Sequence, residues 1–238
     1  MEILYGKDLK LSSQFVWKFY RNKGKYYNIK YLYSIISQFL PSVINLAAFD
    51  IRTNSIKNDN RLQLITNDQL YSINFLPDRI DICYNWNPMS IAETDIKKLS
   101  DNILDYVRRL YNILSSKSGI RIATSCNILS NESSVQEMNT IISKYSSPKN
   151  FFEHENNTFE WSIRYNAQFN MNFDSKTELT NHIVNIERLP KKNQFVVLFD
   201  INTDPQNQLQ RFSFSDLEKF SNEANTKIQE YIKKFEYD

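Results

Sequence analysis

Between Phe159 and Phe173 every second residue is apolar: Phe159, Trp161, Ile163, Tyr165, Ala167, Phe169, Met171 and Phe173. Glu160, Ser162, Arg164, Asn166, Gln168 and Asn170 occupy the positions between them. A period of two is that of side chains on a pleated strand, so this run predicts a β-strand with one packed and one wet face, the habit of antiparallel sheet. Paired without interruption at about 3.3 Å per residue it would span about 50 Å, so a bend or bulge is expected within it.

Shorter runs with the same character precede and follow it. Leu46 to Thr53, Arg61 to Ile65, Gln69 to Leu76 and Arg79 to Trp86 read as a meander, the last two joined across Pro77-Asp78. In the last of these Ile80, Ile82, Tyr84 and Trp86 define a packed face, and Arg79, Asp81, Cys83 and Asn85 a largely wet one. Ile120 to Leu129 is a return strand, and Asn181 to Leu189 with Gln194 to Ile201 a hairpin across Pro190 to Asn193.

The period changes in two places. Ile96, Leu99, Ile103, Val107, Leu110 and Leu114 follow at steps of 3 and 4, behind a Ser90-Ile-Ala-Glu93 capping box. Leu217, Phe220, Ala224, Ile228, Tyr231 and Phe235 do the same behind Ser215-Asp-Leu-Glu218, with Glu223 and Lys227 spaced for an ion pair. Each is a long helix with one apolar seam. A short helix is expected at Val135 to Tyr145 and another at Asn28 to Leu40, stopped by Pro41. These elements predict an α+β fold: antiparallel sheet in two connected halves, with ferredoxin-like repeats as one arrangement, covered by two long amphipathic helices. The boundaries read as an N-terminal arm and short helix over 1–45, a first α+β half over 46–130 and a second over 131–238. Phe49-Asp-Ile-Arg-Thr53 and Phe199-Asp-Ile-Asn-Thr203 share four of five residues, which leaves an internal duplication open.

Composition removes whole classes of function. Three glycines, Gly6, Gly24 and Gly119, cannot build a loop that aims several backbone N–H groups at a phosphate. Net charge is +2, from 29 basic and 27 acidic residues, so no protein-wide field draws polyanions or an anionic membrane. The opening Met-Glu-Ile-Leu-Tyr-Gly-Lys-Asp reaches charge before a signal-peptide apolar region forms, and no apolar run approaches the ~20 residues of a membrane span. Cytoplasm is the expected compartment, and Cys83 and Cys126 are expected as free thiols.

The stretch Leu70-Tyr-Ser-Ile-Asn-Phe-Leu-Pro-Asp-Arg-Ile-Asp-Ile-Cys-Tyr-Asn85 resembles the signature of a sporadically distributed, uncharacterised prokaryotic family: a strand, a Pro-Asp-Arg or Asn-Asp-Arg turn, and a second strand ending near Asn-Trp. The order that follows is also similar, with a long helix, a return strand containing Asn127, a long alternating strand, a hairpin ending at Asp200 and a C-terminal helix, about residues 46–238. The departure is at the N-terminus, where the family opens directly on a strand. The resemblance carries no catalytic residue across; the family's patchy distribution implies an accessory component of a mobile or defence locus.

Candidate chemistry is sparse. Glu153-His154-Glu155 offers three metal ligands, but neighbours in extended chain point to different sides, so no metal is expected there. His182 lies at the start of a strand pattern and reads first as a surface or half-buried residue, with a catalytic role as the alternative. Asp50 and Asp200, each between Phe and Ile, would form a carboxylate pair for a cation or for acid–base work if their strands were neighbours. Lys18 to Tyr31 interleaves Lys18, Arg21, Lys23, Lys25 and Lys30 with five aromatics including Tyr26 and Tyr27, a composition suited to stacking and phosphate contact. The leading expectation is a non-enzymatic interaction or regulatory subunit, without cofactor, whose partner is another protein or a second copy. It would bind through the wet sheet face (Arg79, Asp81, Glu160, Arg164, Gln168) or the N-terminal arm. The alternative is an RNA- or DNA-binding protein, or a metal-independent ribonuclease, using the N-terminal segment.

Overall fold

The computed structural model describes residues 12–17, 39–50, 55–75, 80–84, 96–113, 118–130, 133–145, 161–189, 194–207 and 209–237. The strands are β1 (Ser12–Trp17), β2 (Phe39–Asp50), β3 (Ser55–Thr66), β4 (Tyr71–Phe75), β5 (Ile80–Tyr84), β6 (Ala123–Leu129), β7 (Ser162–Asn172), β8 (Thr177–Arg188) and β9 (Phe195–Thr203). The helices among the described residues are α1 (Ile96–Ile113), α2 (Val135–Tyr145) and α3 (Phe214–Tyr237). The fold is α+β, as the alternation of periods predicts.

Two antiparallel blocks, β2-β3-β4-β5 and β6-β9-β8-β7, are joined by β1, which pairs with β5 on one side and β6 on the other. Every neighbouring pair in the nine-strand order is antiparallel. The segment expected as irregular arm therefore supplies a central strand. The helix expected over Asn28 to Leu40 falls mostly outside the described residues, but Phe39 and Leu40 already belong to β2. Pro41 lies inside that strand, and β2 is an edge of the sheet, where a residue without N–H is tolerated.

Helices α1 and α3 lie on one face. Leu99, Ile103, Val107 and Leu110 of α1, and Leu217, Phe220, Ala224 and Ile228 of α3, are buried against Ile73, Ile82, Tyr84, Val197, Phe199 and Ile201 of the sheet. Full burial of one large apolar side chain contributes about 1.5–3 kcal/mol, so this single core is the main source of stability. Between the helices a buried polar contact fixes their register: Ser100 and Ser221 hydroxyls are 3.1 Å apart, and Asn225 Nδ2 donates to both. Helix starts are capped reciprocally. In α2, Ser134 Oγ accepts from Glu137 N (3.2 Å) while Glu137 Oε2 accepts from Ser134 N (2.7 Å). In α3 the same exchange uses Ser213 and Asp216, two residues earlier than the expected Ser215 and Glu218. On its outer face Lys227 pairs with Glu230 at 2.8 Å rather than with Glu223 one turn back.

Asp81 and Cys83 do not form a wet face. They are 5% and 6% exposed although they lie on the face of β5 opposite Ile80, Ile82 and Tyr84. Cys83 and Cys126 are both buried thiols outside any disulfide, and burial pushes the Cys126 thiol up to about 12. Among the described residues no helix is long and apolar enough to cross a membrane.

Candidate docking edge and the histidine cleft beside it

The strand with the clearest alternation lies at the outside of the sheet. β7 pairs with β8 over its whole length, from Ser162 opposite Glu187 to Asn172 opposite Thr177, and with no other described strand. The pairing is continuous over 11 residues without a bulge, and the chain leaves the strand after Asn172 and turns back into β8. Phe173 N closes this turn by donating to Lys176 O at 2.7 Å. Among the described residues nothing pairs with the outward row of backbone groups of β7. Native proteins blunt such edges with proline, lysine or bulges. β7 contains none of the three: its one ionised side chain is Arg164.

Its apolar face is covered only at the ends. Trp161 and Phe173, which flank the strand, and Met171 within it are buried, while Tyr165 and Phe169 are 48% and 49% exposed and Ala167 between them is exposed. Tyr165 is steadied by its O–H donating to Tyr145 O at the end of α2. On the opposite face a directed row of amides crosses three strands. Gln168 Nε2 donates to Asn181 Oδ1 (3.0 Å), Asn181 Nδ2 to Asn202 Oδ1 (3.2 Å), and Asn202 Nδ2 to Asp200 Oδ1 (3.1 Å). Each amide uses its donor on the next acceptor, and the row ends on a carboxylate that can only accept. Burial raises the Asp200 carboxyl above the usual range, while the Asn202 hydrogen bond and the charges of Arg121 and Arg164 pull it down.

Beside Phe169, between β7, β8 and the outer part of α3, lies a cleft of about 520 Å³. His182 forms its floor, 6% exposed and in the middle of β8 rather than at a surface strand start. Thr180 Oγ1 donates to Phe169 O (2.9 Å) and faces His182 Nε2 (3.1 Å); Tyr231 O–H faces His182 Nδ1 (2.8 Å). Because the Thr180 proton is committed to a carbonyl, Nε2 carries the imidazole proton and Nδ1 accepts from Tyr231. Burial first, and the nearby Lys227 charge second, lower the His182 pKa, so the ring is neutral. The Phe169 ring meets it edge-on at 4.6 Å. Both ring nitrogens are occupied, and the imidazole here ties β8 to α3 and props the aromatic of the edge strand.

Of the residues singled out in the sequence, Arg164 and Gln168 stand exposed on β7 as a binding face requires. Asp81 is buried and leaves that face. Asp50 ends β2 and Asp200 lies in β9; six strand spacings of about 4.8 Å, roughly 29 Å, separate the two strands, so no carboxylate pair forms. Arg79, Glu160, the Glu153-His154-Glu155 triplet and the arm residues Lys18, Arg21, Lys23, Tyr26, Tyr27, Lys25 and Lys30 lie outside the described residues. Among the described residues no group of three His, Cys, Asp or Glu converges for a metal.

Comparison with family models, with curated proteins and with solved structures returns no match.

Proposed function

We propose that this protein is a non-enzymatic interaction or regulatory subunit of a cytoplasmic prokaryotic system and that it engages its partner by strand addition along β7. The observation that carries this reading is a regular 11-residue edge, unpaired on its outer side among the described residues, whose exposed Tyr165 and Phe169 flank an exposed Ala167. In strand addition, backbone hydrogen bonds supply affinity and alternate side chains supply selection. Here Tyr165 and Phe169 offer apolar contact on one face, and Arg164 and Gln168 polar contact on the other. The cleft beside Phe169 adds a recess in which a partner side chain can lodge. The setting in a mobile or defence locus is what the resemblance of Leu70 to Asn85 implies.

The test is recovery of tagged protein from its native host, comparing the natural chain with a Tyr165→Lys/Phe169→Lys variant. A stoichiometric polypeptide that survives moderate salt and is lost with the variant is the expected result. Retention of that polypeptide by the variant, or recovery of salt-labile nucleic acid without a polypeptide, overturns the reading and turns attention to the N-terminal basic-aromatic segment.

A further inference from the structure

Resting on that reading, we infer that the strand added to β7 is β7 of a second copy, antiparallel, with the two-fold axis at Ala167. In an antiparallel pair directly opposite residues share a face, so a self-pair preserves the apolar and polar faces only when positions of equal parity meet. Centring on Ala167 satisfies this and is the register that uses all 11 residues of the strand. It sets Tyr165 opposite Phe169 of the second copy, and Ile163 opposite Met171, on the apolar face. On the polar face Arg164 meets Asn170 and Asn166 meets Gln168.

Charge and size favour this occupant. Arg164 is the one ionised residue of the strand, and this register keeps it away from its own counterpart: the two stand six positions apart, about 20 Å, each beside a neutral amide. The axis passes Ala167, the smallest side chain of the strand, so no bulky group meets itself there. Aromatic pairs at directly opposite positions are among the favourable cross-strand contacts, and the two-fold supplies this pair twice. An axis perpendicular to the sheet leaves α3 of both copies on the same side, and each ring half-exposed in the single chain gains an aromatic neighbour across the junction.

The direct test is an Ala167→Cys variant of the full chain under mild oxidation. Cys83 and Cys126 are buried and silent, so any intermolecular disulfide reports on the new thiol. The expected result is a cross-linked dimer of twice the 28.3 kDa chain mass, with no cross-link from Asn172→Cys, which this register places opposite Ser162 and about 33 Å from its own counterpart. Sedimentation of the natural chain should show a concentration-dependent dimer whose dissociation constant rises at least 100-fold in Tyr165→Lys/Phe169→Lys. An uncross-linked Ala167→Cys variant with a monomeric natural chain overturns self-pairing. If a host polypeptide is then still lost on the double lysine change, strand addition stands with a different partner. If the double change affects no association at all, both readings fall.

Discussion

β9 and β7 belong to the same block of sheet, each set an apolar residue at every second position, and meet opposite fates. β9 lies under α3, which buries Phe195, Val197, Phe199 and Ile201. β7, two strands further out, carries an equally regular row, yet its central residues face solvent. One helix about 10 Å wide covers two to three strands spaced at about 4.8 Å, so the fourth strand of the block falls beyond its reach. Alternation records that a strand has an apolar side; the width of the covering layer decides whether that side becomes core or contact surface.

The sharpest way to break this contrast is truncation. Phe199→Ala should destabilise the fold by about 3–5 kcal/mol, whereas Phe169→Ala, already half-exposed, should cost less than about 1 kcal/mol. Denaturant titration of the two variants checks this, and equal losses would mean that β7 is core rather than surface.

Nearly as large an effect is expected where β8 meets the loop before α3. Arg211 Nε donates to both Glu178 oxygens at 3.0 Å, and its guanidinium also reaches the carbonyls of Asn207 (2.6 Å), Asp204 and Ile120. Both members of the pair are largely buried. Arg211→Ala leaves the Glu178 charge without this partner and should cost about 3–5 kcal/mol, read as a lower thermal midpoint.

A smaller effect concerns His182, whose support of Phe169 depends on a neutral ring. Its folded pKa is lowered, so the unfolded chain binds the proton first. Stability is fully present above the unfolded value of about 6.5 and is lost as pH falls from there toward the folded pKa. Urea midpoints measured between pH 8 and pH 5 should fall in that window for the natural chain and less so for His182→Gln.

The smallest effect lies far from either strand. Gln69 holds φ at 61° in the turn between β3 and β4, where a side chain crowds the backbone. Gln69→Gly should raise stability by up to about 1 kcal/mol in the same denaturant assay, and leave association through β7 unchanged.

Much of the fold is legible in the residues. The seams of α1 and α3, the hairpins β4–β5 and β8–β9, and the span of α2 follow from periods and turn chemistry that act over a few residues. What was not legible depends on partners distant in sequence. Ser12–Trp17 is too short and too mixed to announce a strand, and its place between β5 and β6 is set by pairing with segments some 70 and 110 residues away. Asp81 looked wet because alternation was read as one open face, whereas both faces of β5 are buried. His182 and Tyr231 are 49 residues apart, and nothing in Thr-Asn-His-Ile signals that a helix seam will present a phenol to the imidazole. The amide row from Gln168 to Asp200 was hidden for the same reason: four polar residues become one feature only when β7, β8 and β9 lie side by side.

The most direct test of β7 as the association edge is the native mass of the protein isolated from its host under non-denaturing conditions. A particle heavier than the 28.3 kDa chain that reduces to the single chain in Tyr165→Lys/Phe169→Lys is the predicted result. A single-chain mass for the natural protein, or a heavier particle that the variant leaves intact, would contradict it.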